Sequence, residues 1–319
     1  MIPEQVGKYR IEAPLGQGGT GIVYRARREK DGRAVALKLL PPEQFPDPQT
    51  RKKFLSEAKR AAKLKHPHLR RLYEAGEHEG QLYLALEYIE GATLKSLLVG
   101  GAVDPDAALG WGTEIAEALA TAHAGGCVHG ELSPGKVFIT AEGTAKLSPP
   151  GLWRLRLPVG EDLTQEGAIE RTRLSPRSTA ALAPEQLQGR EPDARSDVFA
   201  LGTLLCEMTT GRNPFVGDTA VETMHLVLKR TPQPLPEAAP AALGPVVERA
   251  LAKDSAQRVG SAATMQQALR AVAAGEEPQA ALEAAPSALM RVLLPFWIAI
   301  GVALLLLLLW FVYLGLTAP

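Results

Sequence analysis

No charged residue occurs after Arg291, and residues 292–316 (VLLPFWIAIGVALLLLLLWFVYLGL) form an uncharged run of 25. At about 1.5 Å per residue, a helix of that length crosses a hydrocarbon core of about 30 Å with some tilt. Buried core helices seldom carry so long a charge-free run, so the stretch predicts a transmembrane helix. Trp297 near one end, and Trp310 with Tyr313 near the other, suit interfacial aromatic belts. Arg291 flanks the N-terminal side and only Thr317, Ala318 and Pro319 follow. The positive-inside rule then predicts a single-pass protein with residues 1–291 in the cytoplasm and a short tail, 317–319, outside, with no outer sensor domain. Residues 271–291, rich in alanine, glutamate, proline and glutamine, read as a juxtamembrane linker.

The remaining chain carries all 35 lysines and arginines and all 35 aspartates and glutamates. That balance argues against a dedicated nucleic-acid binder. Cys127 and Cys206 lie far apart without metal-ligand spacing, which predicts buried thiols in a reducing compartment. Residues 1–10 hold no apolar run, so no cleaved signal peptide is expected.

Residues 9–15, 22–27 and 34–40 each carry β-type alternation or apolar runs and are separated by glycine-rich or charged turns, predicting an N-terminal antiparallel sheet. Within its first turn, Gly16-Gln17-Gly18-Gly19-Thr20-Gly21 fits GxGxxG. Glycines let backbone N–H groups approach phosphates closely, but the same pattern marks dinucleotide folds and plain hairpins. Here it leads into a strand through Val23 and is followed by Val35-Ala36-Leu37-Lys38, then by a helical stretch over 47–64 containing Glu57 and by His66-Pro67-His68-Leu69. Further on come Ala183-Pro184-Glu185, Asp197-Val198-Phe199-Ala200-Leu201-Gly202, and Lys253-Asp254 leading to Arg258.

Taken in order, these motifs resemble the protein kinase superfamily over residues 9–270, and most nearly its bacterial membrane-anchored Ser/Thr members. The resemblance implies an α+β bilobal fold: an antiparallel β lobe with one main helix over about 9–90, preceded by an extension over 1–8, and a mostly helical lobe over about 91–270. It implies ATP as ligand. Gly16, Gly18, Gly21 and Val23 would cover the phosphates, Lys38 would hold them with Glu57 as its partner, and Ala36 and Leu86 would line the base pocket, Leu86 as gatekeeper. The stretch from Glu87 to Ile89 would offer backbone groups to adenine. His129, Glu185, Asp197 and Arg258 would maintain the large lobe, Asp197 by anchoring the catalytic-loop backbone and Glu185 by pairing with Arg258.

The motifs that carry the chemistry depart from the family pattern. HRDLKPxN is represented by His129-Gly130-Glu131-Leu132-Ser133-Pro134-Gly135-Lys136, and KLxDFGL by Lys146-Leu147-Ser148-Pro149-Pro150-Gly151-Leu152. Glu131 stands at the catalytic-base position with one methylene too many, Lys136 at that of the metal-binding asparagine and Pro149 at that of the metal-binding aspartate. Kinases place Mg²⁺ on those two residues, so Mg²⁺ binding is not expected. Lys136 is expected either to bring its ammonium to the phosphates in place of the metal or to stand solvated in an empty cleft. Pro149-Pro150 predicts a stiff start to the activation segment.

The resulting expectation is a membrane-tethered pseudokinase acting as a signalling scaffold or as an allosteric partner of active kinases. A Ser/Thr kinase with residual phosphotransfer is the alternative. Between Arg51 and Arg71, nine lysines and arginines stand against the single acid Glu57. The run reads as a solvated helix face, or as a surface for an acidic partner or anionic lipid.

Overall fold

The computed structural model describes residues 3–18, 21–151, 161–172 and 174–279. The membrane segment predicted over 292–316 lies outside these residues, as do most of the predicted linker and the tip of the glycine turn. Among the described residues, no helix is long and apolar enough to cross a membrane.

The small lobe is an antiparallel sheet of β1 (Gln5–Val6), β2 (Tyr9–Gly18), β3 (Gly21–Arg28), β4 (Ala34–Leu39), β5 (Leu72–His78) and β6 (Gln81–Glu87). Their order is β1-β2-β3-β4-β6-β5. β1 falls inside the stretch expected to precede the fold: Gln5 pairs with Arg10 and Val6 is buried, so the sheet begins earlier than its apolar alternation suggests.

Alternation along β4 sends Val35, Leu37 and Leu39 to one face, where they pack with Tyr9, Tyr24 and Tyr83. Ala36 faces the other way and packs with Leu84, Leu86 and Phe54, Ala58 and Ala61 of helix α1 (Pro48–Ala61). Lys38 shares the period of Ala36 and therefore the face on which the Glu57 helix lies. Asp47 caps α1 by accepting a hydrogen bond from Thr50 N–H at 2.8 Å, which fixes where the helix starts.

After β6 the chain forms β7 (Gly91–Thr93), α2 (Leu94–Leu97) and the long helix α3 (Pro105–Ala124), then β8 (Val137–Thr140) and β9 (Ala145–Leu147). β7, β8 and β9 make a three-stranded sheet. β8 begins directly after Lys136 and β9 ends two residues before Pro149, so this sheet braces both chemistry-bearing segments at once.

Short helices α4 (Ala168–Arg171), α5 (Pro176–Thr179) and α6 (Pro184–Leu187) lead to α7 (Ala194–Thr210), α8 (Ala220–Lys229), α9 (Leu243–Ala250) and α10 (Ala262–Ala273). Helix α7 is buried from Ser196 to Thr209, as expected of a helix surrounded by others. Leu119 of α3, Leu201 and Leu205 of α7 and Leu269 of α10 join one core. Gly112 permits the close contact of α3 with α7, since a Cβ there would come within 2.5 Å of Leu205 Cδ2.

Candidate functional site

Between the sheet and the helical lobe lies a cavity of about 550 Å³. Val23, Lys38 and Leu86 line it from the small lobe, and His129, Glu131, Lys136 and Pro149 from the large lobe. The structure thus brings six sequence-predicted site residues, and the proline that replaces a seventh, to a single space. Gly16, Gly21, Ala36, Glu57, Glu87 and Ile89 are not among its lining residues; Ala36 lies beneath the sheet surface, fully buried. Gly18 and Gly21 face each other across the β2–β3 hairpin. A fold requirement accounts for Gly21: its φ is +118°, and a Cβ would fall 1.9 Å from Leu39 O.

The loop carrying His129 to Lys136 is held from α7. Asp197, 1% exposed, accepts hydrogen bonds from His129 N–H at 2.8 Å and Gly130 N–H at 2.7 Å, and its Oδ2 also lies 2.7 Å from His123 Nε2. Gln186 of α6 completes the clamp by donating to Gly130 O at 2.8 Å. Gly130 adopts φ 70°, a left-handed conformation that glycine takes without the Cβ penalty an arginine would meet.

His129 is buried, and its Nδ1 accepts from Glu131 N–H at 3.3 Å. Its Nε2 has no hydrogen-bond partner among the described residues. Burial pushes this imidazole down to about 4, with Asp197 pulling in the opposite direction, so it is neutral, with the proton on Nε2.

Lys136 lines the cavity and makes an ion pair there. Its Nζ lies 3.0 Å from Glu131 Oε2, with the side chains 22% and 12% exposed, so the ammonium is committed to the carboxylate at the catalytic-base position. Pro149 and Pro150 are buried, and Ser148 N–H donates to Lys136 O at 2.8 Å. Residues 152–160, through which a stiffened activation segment would continue, lie outside the described residues.

Glu185 and Arg258 meet inside the large lobe. Arg258 Nη1 and Nη2 donate to Glu185 Oε1 and Oε2, each at 2.7 Å, and Ser196 Oγ donates to Oε1 at 2.5 Å. Burial raises the Glu185 carboxyl, but the guanidinium and the hydroxyl more than offset it and hold the group below its ordinary value.

Arg70 requires a correction. Counted along the sequence it belongs to the basic run, yet it is 8% exposed and lines the cavity. Its Nε donates to Glu87 O at 2.8 Å, and its guanidinium carbon lies 4.5 Å from the Phe138 ring centroid. Burial lowers it to about 10, with Glu87 acting in the opposite direction. The Glu87 carboxylate is itself held by Lys146 Nζ at 2.8 Å and Arg71 N–H at 3.0 Å. The position of Arg70 immediately after the last residue of His66-Pro67-His68-Leu69, which enters the interlobe contact, was the available signal; charge counting hid it. Arg51 also leaves the run by pairing with Glu77 at 3.0 Å, whereas Lys52, Lys53, Lys59, Arg60, Lys63 and Lys65 are exposed.

A β-rich lobe over a helical lobe, with a strand lysine and an aspartate-anchored loop meeting in the cleft between them, defines the bilobal kinase fold. The chain belongs to the protein kinase family, whose domain model matches residues 9–270, and its relatives are bacterial Ser/Thr kinases. It is 34% identical over 279 residues to a probable serine/threonine-protein kinase of Streptomyces coelicolor, covering 85% of this chain and 40% of that one. With serine/threonine-protein kinase PknB of Mycobacterium tuberculosis it shares 34% over 281 residues, 86% of this chain and 44% of PknB. With PknA of the same organism it shares 33% over 278 residues, 85% of this chain and 63% of PknA. The chain therefore spans less than two thirds of the length of these curated relatives. The crystal structure of the M. tuberculosis PknI kinase domain superposes with a TM-score of 0.68 at 25% identity, covering 86% of this chain and 100% of that one. Protein kinases of this family use ATP, in general with Mg²⁺.

Proposed function

We propose that this kinase-fold domain transfers no phosphate and acts as a signalling scaffold or as an allosteric partner of active kinases. The observation that carries this reading is the Lys136–Glu131 ion pair. It links the altered metal-ligand position to the altered base position across 3.0 Å, so the carboxylate that would accept a substrate proton is engaged by a cation. Pro149 supplies no side-chain oxygen where the family's aspartate holds Mg²⁺, and an ammonium at Lys136 repels a divalent cation. Mg²⁺ is for these reasons left out of the proposed chemistry. The buried Asp197 clamp and the Glu185–Arg258 pair maintain the fold and are intact.

The uncharged run over 292–316 supports a single-pass anchor with the kinase-fold domain on the cytoplasmic side. The exposed lysines of α1 and the turn after it would then face acidic partners or anionic lipid.

The retention of Lys38, with Glu57 on α1, favours the second reading, residual phosphotransfer. The two are separated by comparing the phosphopeptides of cells that lack the gene with those of cells carrying Lys38→Met. A scaffold predicts that Lys38→Met cells match the wild type where the deletion strain differs. A catalyst predicts that they match the deletion strain.

A further inference from the structure

Arg70 occupies the part of the cleft where a purine base would bind. Two contacts define that place: a hydrogen-bond acceptor at the backbone of Glu87, immediately after Leu86, and an apolar slot between the sheet and the large lobe. Arg70 makes both, donating from Nε to Glu87 O at 2.8 Å and setting its guanidinium carbon 4.5 Å from the Phe138 ring centroid. Val23, Leu84 and Leu86 line the same cavity.

A guanidinium is planar, rich in N–H donors and suited to stacking on an aromatic face. An adenine shares the flat face and, through its exocyclic amine, the N–H donor that a backbone carbonyl receives. The main chain of residue 70 is held against both lobes, because Arg70 N–H donates to Leu147 O at 2.7 Å and Glu87 N–H donates to Arg71 O at 2.8 Å. The neighbouring Glu87 carboxylate is already taken by Lys146, so the Arg70 head group has the carbonyl and the ring as its contacts.

We infer that Arg70 is a built-in occupant of the base pocket and that it excludes purine nucleotides from this cleft. The remaining cavity keeps its phosphate-side residues but has lost the slot that would recognise the base. This inference goes beyond the loss of phosphotransfer and is separable from it. A chain that binds ATP but transfers nothing overturns the exclusion by Arg70 and leaves the proposed function standing.

The test is nucleotide binding by the full chain in detergent micelles, wild type against Arg70→Leu, with ATP and with adenosine as probes. Leucine suits the apolar walls and leaves no buried charge unpaired, since Lys146 keeps Glu87. At about 1 mM ATP the wild type is expected to show no change in melting temperature, and Arg70→Leu is expected to bind ATP at least about tenfold more tightly, with adenosine competing. Equal affinity of the two chains, or a folded Arg70→Leu that gains none, overturns the inference. Should the leucine variant fail to fold, the Arg70 Nε–H resonance of the wild type carries the test. It is expected to exchange slowly and to stay unmoved by ATP, and its displacement or loss on adding ATP overturns the inference.

Discussion

Lys136 Nζ stands 3.0 Å from Glu131 Oε2, so two positions that in an active kinase serve a metal ion and a substrate hydroxyl here serve each other. Both side chains are largely shielded, and the pair is accordingly expected to contribute more than a fully exposed one. A double-mutant cycle of Glu131→Gln and Lys136→Met, followed by urea unfolding, should give a coupling energy of about 1 kcal/mol. Strict additivity would show that the pair holds nothing.

The same arrangement predicts indifference to divalent cations. Mg²⁺ up to about 10 mM should leave the melting temperature unchanged, and Lys136→Asn alone should not create a response, because Pro149 still offers no oxygen. A Mg²⁺-dependent rise in the wild type would contradict this.

His129 gives the domain an acid-labile centre. Its folded-state value, about 4, lies below the ordinary value of 6.5 because burial penalises the imidazolium. An unfolded chain therefore binds the proton first as pH falls. The associated stability is fully present above about pH 6.5 and is lost progressively down to about pH 4, on the order of 3 kcal/mol in all. Urea unfolding of wild type and His129→Leu across this range should show the wild type losing stability relative to the variant as pH falls. Parallel curves would assign the acid sensitivity elsewhere.

The left-handed φ of 70° at Gly130 sets a cost on restoring the family's arginine. Gly130→Arg should destabilise by about 1 to 2 kcal/mol, read from the urea midpoint.

The Glu185–Arg258 pair is the most buried ion pair in the large lobe among the described residues, with Arg258 only 1% exposed. Arg258→Ala leaves a carboxylate without its partner inside the protein and should cost about 3 to 5 kcal/mol. Glu185→Gln with Arg258→Met removes both charges and should recover part of that loss. No loss in the single variant would show that water reaches Glu185.

Alternation and apolar runs made the strands of the N-terminal sheet legible in the sequence, and the structure adds the faces: Ala36 packs on the side covered by α1, and Val35, Leu37 and Leu39 on the other. Spaced motifs made the Asp197 clamp and the Glu185–Arg258 pair legible across long separations. Two things were not legible. The Lys136–Glu131 pairing depends on loop geometry that brings residues five apart face to face, and a list of substitutions does not contain it. The burial of Arg70 depends on the Leu69–Leu147 bridge, which draws the segment after α1 against β9 and turns one member of a basic run into the cleft. A local count of charges cannot distinguish that side chain from its exposed neighbours.

The central claim, a kinase fold without phosphotransfer, is tested most directly by incorporation of labelled γ-phosphate by the full chain with Mg²⁺ and ATP, beside Lys38→Met. No incorporation above the level of Lys38→Met is expected. Robust incorporation that Lys38→Met abolishes would contradict it.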